Sequence, residues 1–272
     1  MSDKQPFEEI RSSNLGVRVA TTEWEVRAAQ SLRYRVFYEE MGARADAMTA
    51  ATGLDADAYD AVADHLLVVD HDRGEGPESV VGTYRLIRRG AAERLGRFYS
   101  EDEYDIGLIL NYPDGILELG RSCTDIAYRT RGTLQLLWRG IAAYVYNHKI
   151  GLMFGCASLP GINLDGNAAQ LSYLAHHHQA PMHLCPRALE SRYLPMDRLQ
   201  RGSYDAKAAL MSLPPLIKGY LRLGGYVGDG AVLDPQFNTT DVAIVVMTEQ
   251  ITDKYYKHYE RKAGWDGNDR AA

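Results

Sequence analysis

A chain of 272 residues with 46% hydrophobic content is long enough to bury a full core, as one domain or one with an elaboration. Its net charge of −6 argues against nucleic-acid binding, because a phosphate backbone rewards a basic surface. No run approaches 18 apolar residues, and the N-terminal MSDKQPFEEIRSSN lacks a signal peptide's apolar segment. Cys123, Cys156 and Cys185 form neither a disulfide framework nor a zinc spacing, so a cytoplasmic protein is expected, with at most peripheral contact with an inner membrane.

Residues 15–20 (LGVRVA) read as a first strand. Thr22 and Glu25 fit a capping box opening a helix that Trp24, Ala28, Leu32 and Val36 continue at helical spacing, with Gly42 as its stop. A carboxylate-rich loop follows, carrying Asp46, Asp55, Asp57, Asp60 and Asp64. Residues 65–70 (HLLVVD) and 79–88 (SVVGTYRLIR) predict a hairpin around the turn-rich 71–78, and 94–107 receive no assignment.

The stretch from Ile116 to Gly140 predicts a buried strand, an arginine-and-glycine turn, and a helix whose apolar face carries Leu134, Leu137, Trp138, Ile141 and Val145. A helix start leaves N–H groups unpaired and favours negative charge, so this unit is suited to a phosphate. Residues 151–158 are a further buried strand, 165–178 and 205–223 are helical, and Gly224 and Gly225 end the latter. Strands at 229–234 and 241–248 and a charged helix near 250–262 close the chain. The order implies an α/β protein with a central mixed sheet flanked by helices.

This arrangement resembles the GNAT acyltransferase fold, in which an Arg/Gln-x-x-Gly-x-Gly/Ala turn holds a coenzyme A pyrophosphate or a pantetheine phosphate. Here Arg129-Thr-Arg131-Gly132-Thr133-Leu134 keeps the arginine and first glycine, and Leu134 replaces the last small residue, which suits a single phosphopantetheine phosphate. Arg33 with Phe37, Asp57 with Asp60, Gly82 with Arg85 and Leu86, and Glu118 with Arg121 match, in order, motifs of the acyl-homoserine-lactone synthases. Met41-Gly42-Ala43 stands where those synthases carry Leu-Gly-Trp, a departure at the S-adenosylmethionine pocket. The segments LRYRVFYEEMGA, DHLLVVD, VGTYRLI, FYSEDEYDI, ELGRSCTDIAYRTRGTLQLLWRGIAAYV, LMFGCASLPG and GAVLDPQFNTTDVAIVV resemble the ornithine–acyl-ACP N-acyltransferases along nearly the whole chain. The resemblance implies one GNAT-like domain over 1–272, with a core of about 15–160, a mostly antiparallel sheet, and 161–272 as an extension packed on it.

The implied reaction is attack of an amino-acid α-amine, that of L-ornithine, on the thioester of a 3-hydroxyacyl carrier protein, giving lyso-ornithine lipid. Acyl carrier protein and ornithine are then the partners, its phosphopantetheine is part of the donor substrate, and no cofactor or metal is required. Another amino acid such as glutamine, or a non-catalytic acyl-carrier or lipid-binding module, are the competing readings. The amine must lose a proton, and Glu118 is either the base or half of an organising ion pair with Arg121. Strand alternation sends residues three apart to opposite faces, so a bulge near Gly120 is needed to bring them together. Such a bulge would aim an N–H from 120–123, the segment of Arg121 and Ser122, at the thioester oxygen.

Arg129, Arg131, Gly132 and Thr133 are the implied phosphopantetheine residues. Arg33, Phe37, Asp57, Asp60 and Arg85 surround the amino acid, where an aspartate could meet the ornithine ammonium and an arginine its carboxylate. Each of these could equally stabilise a loop, and Phe37 could be core. Docking an acidic carrier calls for a basic patch, either Arg88, Arg89, Arg94 and Arg97 or Arg129, Arg131 and Arg139. His176–His178 with His183 and Cys185 look ligand-rich, but consecutive histidines on a helix diverge and no zinc spacing supports them. Neither Cys156 nor Cys123 has a partner that would make it a nucleophile, which favours direct transfer.

Overall fold

In the computed structural model, residues 8–250 are described, and the expected helix near 250–262 lies from 251 onward outside them. The apolar runs read from the sequence pair into one ten-stranded sheet. Its strands are β1 (Ile10–Ser12), β2 (Leu15–Val19), β3 (Asp64–Asp70), β4 (Val80–Arg88), β5 (Tyr104–Asp105), β6 (Gly115–Thr124), β7 (Ile150–Pro160), β8 (Arg187–Ala188), β9 (Tyr226–Asp234) and β10 (Thr239–Met247). The spatial order is β1-β2-β3-β4-β6-β7-β10-β9-β8-β5. Among the described strands, β6–β7 and β8–β9 pair in parallel and the other neighbours antiparallel, so the sheet is mixed and mostly antiparallel.

The helices are α1 (Glu23–Tyr34), α2 (Ala47–Thr52), α3 (Arg89–Leu95), α4 (Gly107–Leu110), α5 (Arg131–Asn147), α6 (Ala168–His178), α7 (Ala206–Ser212) and α8 (Pro215–Arg222). The Thr22–Glu25 capping box forms, and Ala28, Leu32 and Val36 are buried, but Trp24 is exposed. Beyond Tyr34 the helix widens into a π-turn over Arg35–Glu40, where the Met41 N–H reaches back to the Val36 carbonyl at 3.0 Å. Such a widened turn re-aims the side chains that follow it. The helix expected over 205–223 is broken in two. Pro214 and Pro215 cannot donate to the preceding turn, so α7 ends at Ser212 and α8 restarts with Pro215 in its first turn. The late strands each begin earlier than the sequence suggested, at Tyr226 and Thr239.

Helix α5 crosses from β6 to β7 and lies on the sheet through Leu136, Leu137, Ile141, Tyr144 and Val145, while Leu134 and Trp138 are only partly buried. Gly140 lets it approach closely, since a Cβ there would lie 2.6 Å from Val17 Cγ2. The largest core cluster joins α5 and strands β2, β3, β4, β6 and β7 to Leu171, Leu213, Ile217 and Val242 from the later part of the chain. Among the described residues, no helix is long and apolar enough to cross a membrane.

Candidate active site

Two local irregularities in the middle of the sheet create the site. The parallel ladder between β6 and β7 runs from Gly115↔Ile150 to Glu118↔Phe154 and stops there. Past that point a cleft of about 390 Å³ opens, with Leu119–Thr124 on one wall and Cys156–Ser158 on the other. On the opposite edge of β6, Thr83 pairs with Cys123 and Arg85 with Gly120, so Arg121 and Ser122 together face Tyr84. This is the expected bulge, centred one residue later than Gly120, with Arg121 at φ 50°. A non-glycine residue in the left-handed region is costly and persists only where its surroundings hold it.

The surroundings do so. Arg121 Nε lies 3.2 Å from Asp55 Oδ2, its Nη1 donates to the Tyr99 hydroxyl at 3.1 Å, and its plane lies over the rings of Tyr99 and Phe237. Arg33 reaches Asp55 at 2.8 Å and Asp60 at 2.7 Å, and Arg85 reaches Asp57 at 2.6 Å and Asp60 at 3.3 Å. Three guanidiniums from α1, β4 and β6 are thus matched by three carboxylates of one loop. Burial favours the neutral acid at Asp60, but Arg33 and Arg85 outweigh it and hold that carboxyl well below the usual range. Of the residues expected around an amino acid, Arg33, Asp57, Asp60 and Arg85 do come together. Asp55 and Arg121 complete the network.

Glu118 is almost fully buried and makes different contacts. Its carboxylate accepts from the Tyr99 N–H at 2.9 Å, the Ser100 N–H at 2.6 Å and the Ser100 hydroxyl. Burial pushes its pKa up, and the hydrogen bonds from Ser100 and Tyr99 and the charge of Arg85 only partly oppose this. Its partners are therefore in the Phe98–Glu103 segment, and Arg121 pairs with the aspartate loop instead. Both residues line the cleft, as do Ser122, Arg85, Phe37 and Arg129. Phe37 meets Phe237 edge-on at 5.8 Å.

The expected phosphate turn is a helix start: Thr130 caps α5 by accepting from the Thr133 N–H at 3.2 Å, and Arg131 and Gly132 form the exposed first turn. Arg129 grips Glu40 with both terminal nitrogens, one at 2.7 Å, beside the cleft. Arg88, Arg89, Arg94 and Arg97 are engaged with Asp64, the carbonyls of Leu110 and Gly90, and Asp102. In the histidine run, His176 bonds Asp197 at 2.6 Å and Tyr204 at 2.9 Å, while His177 and His178 pack against the Tyr173 ring. Burial pushes the Cys123 thiol up to about 12 and raises the Cys156 thiol well above its ordinary value, which disfavours a thiolate nucleophile.

Three carboxylates of the cleft escaped sequence reading: Glu103, Asp234 and Asp241, whose oxygens lie within 4.8 Å of one another. Asp241 stands alone in the apolar run TTDVAIVV, and a lone charge in a buried strand is the signal that could have found it. Ser100, which bridges toward Cys156 Sγ at 3.7 Å, had no such signal.

The family described as Acetyltransferase (GNAT) domain matches residues 32–139. The chain is 47% identical over 257 residues to the L-ornithine N(α)-acyltransferase of Brucella abortus (strain 2308), covering 93% of this chain and 91% of the relative. It is 45% identical to that of Rhizobium meliloti (strain 1021), covering 93% and 87%. Among solved structures it is similar to an N-acyl amino acid synthase from uncultured soil microbes, at 14% identity and a TM-score of 0.49, covering 89% of this chain and 97% of that one. At such identity over nearly the whole length, the chain belongs to the L-ornithine N(α)-acyltransferase family and is an acyltransferase built on the GNAT fold.

Proposed function

We propose that this enzyme moves a 3-hydroxyacyl group from the phosphopantetheine thioester of acyl carrier protein to the α-amine of L-ornithine, giving lyso-ornithine lipid. The family membership supports the acceptor. The observation that carries the chemistry is Glu118, a buried carboxylate of raised pKa on the wall of the cleft where β6 and β7 part.

The amine attacks in its neutral form, so a proton must leave it. Ser100 lines the cleft and already donates its hydroxyl proton to Glu118, so it can pass the amine proton to that carboxylate. The nitrogen bonds to the thioester carbon, the carbon–sulfur bond breaks as the proton held on Glu118 passes to the departing thiolate, and the nitrogen gives up its second proton through Ser100 to the vacated Glu118 carboxylate and from there to solvent. The bulged backbone at Arg121–Ser122 supplies an N–H for the developing oxyanion. Arg121 is a positioning residue, held by Asp55 and Tyr99, that fixes the bulge. The α5 N-terminus at Arg131–Thr133, with Arg129 released from Glu40, receives the phosphate of the donor arm.

The test is thiol release from 3-hydroxyacyl carrier protein with a panel of free amino acids and mass spectrometry of the product. Ornithine-dependent release yielding N-acyl ornithine supports the reading. Release with glutamine alone keeps the mechanism and changes the acceptor, and no release with any amino acid overturns catalysis.

A further inference from the structure

The aspartate loop expected to meet the distal ammonium of the acceptor has no charge to spare. Asp55, Asp57 and Asp60 are each paired with a guanidinium of Arg33, Arg85 or Arg121. The excess negative charge lies on the other side of the cleft, where three carboxylates cluster and Arg192 pairs with one of them. Glu103 ends the Phe98–Glu103 segment that carries Ser100, Asp234 ends β9, and Asp241 lies within β10.

Glu103 and Asp241 are 4% and 6% exposed, and Glu103 Oε2 and Asp241 Oδ1 have no hydrogen-bond partner among the described residues. Burial pushes both carboxyls up: at Glu103 the charge of Asp241 adds to this while Cys156 and Arg192, the latter at 3.6 Å, oppose it, and at Asp241 the charge of Asp234 adds to it while Ser158, Thr239 and Arg121 oppose it in part. Asp234 is held in place by the Gln236 and Phe237 N–H groups at 2.8 and 3.0 Å. Unpaired buried acceptors are costly unless something fills them.

We propose that Glu103, Asp234 and Asp241 form the receptor for the distal ammonium of the acceptor amino acid, and so select a diamino acid. This rests on the ornithine reading above. A primary ammonium has three N–H donors, and oxygens at about 2.9 Å around it spread to about 4.7 Å from one another, within the separation found here. Ser100 and Glu103 belong to one turn, where the Glu103 N–H donates to the Ser100 carbonyl at 3.0 Å. That turn therefore ties the proton relay at the α-amine to the receptor for the far end of the same molecule.

The test compares L-ornithine with L-norvaline, the same carbon skeleton without the distal amine, as acceptors for 3-hydroxyacyl carrier protein. The wild type should favour ornithine. In Asp241→Asn and Glu103→Gln the ornithine KM should rise about tenfold or more, as loss of a charged hydrogen bond requires, with kcat nearly kept and norvaline kinetics unchanged. Unchanged ornithine KM and preference in both variants would overturn the proposal while leaving the function intact. A wild type that does not acylate ornithine would instead defeat the function itself. A kcat loss shared by both acceptors would place the carboxylates at the reacting amine and also overturn the receptor. Should either variant fail to fold, calorimetric binding of ornithine and norvaline to the wild type decides. Equal affinity refutes the receptor, and ornithine binding that vanishes with a chelator and returns with calcium would make it a metal site.

Discussion

A Cβ placed on Gly155 would lie 2.2 Å from the carbonyl oxygen of Leu119. This contact lies one residue beyond the last paired position of β6 and β7, so the site's cleft begins where two backbones touch with no room for a side chain. Gly155→Ala should push β7 from β6, costing about 1–3 kcal/mol by overpacking and lowering turnover beyond the loss of folded protein. Denaturant unfolding with specific activity per folded molecule checks both.

Glu118→Gln keeps shape and removes the proposed proton acceptor. Turnover should fall on the order of 10²–10⁴-fold, with the donor KM little changed. Because the active form is the carboxylate and burial raises its pKa, wild-type kcat should fall as pH drops through a value above the ordinary 4.5. A pH profile of single-turnover acylation reads this limb. A limb that persists in the variant's residual activity would assign it elsewhere.

Breaking one member of the buried arginine–aspartate network leaves an opposite charge uncompensated, which typically costs about 3–5 kcal/mol. Asp60→Asn should do so through Arg33 and Arg85. The Asp60 carboxyl is depressed in the fold, because the arginines outweigh burial. Its stabilisation is therefore present above its unfolded value of 3.8 and lost as pH falls below it. The gap between thermal melts of wild type and variant should hold from pH 6 to pH 4 and begin to narrow below pH 3.8.

Arg129 must leave Glu40 to meet a phosphate. Arg129→Ala should raise the carrier-protein KM about tenfold or more, the worth of a charge-assisted hydrogen bond, and Glu40→Ala should lower it. Opposite signs for the two variants in initial-rate kinetics would distinguish phosphate recognition from a surface ion pair, whose loss would act on stability alone.

Much of the architecture was legible because it is written in local pattern. Thr22 and Glu25 cap α1, the apolar runs on either side of the turn-rich 71–78 pair as β3 and β4, and Ile116–Gly140 folds as strand, turn and helix. Even the bulge followed from two residues three apart that needed a common face. Misjudged features arose where tertiary context overrode pattern: Trp24 lies outside its helix's buried face, and two prolines divide 205–223.

The family came from motifs that resemble known enzymes, and the Phe98–Glu103 segment that meets Glu118 carried no local signal. By itself, then, the sequence determined the order of strands, turns and helices. It did so because periodicity, caps and spacing are properties of neighbouring residues. Which charges remained unspent was decided only in three dimensions. The Asp57 and Asp60 carboxylates looked available until Arg33, Arg85 and Arg121 converged on them from three elements. Glu103, Asp234 and Asp241 looked unrelated until β9 and β10 brought them to one wall of the cleft. A buried charge has meaning only through its partners, and partners so far apart in sequence are chosen by packing.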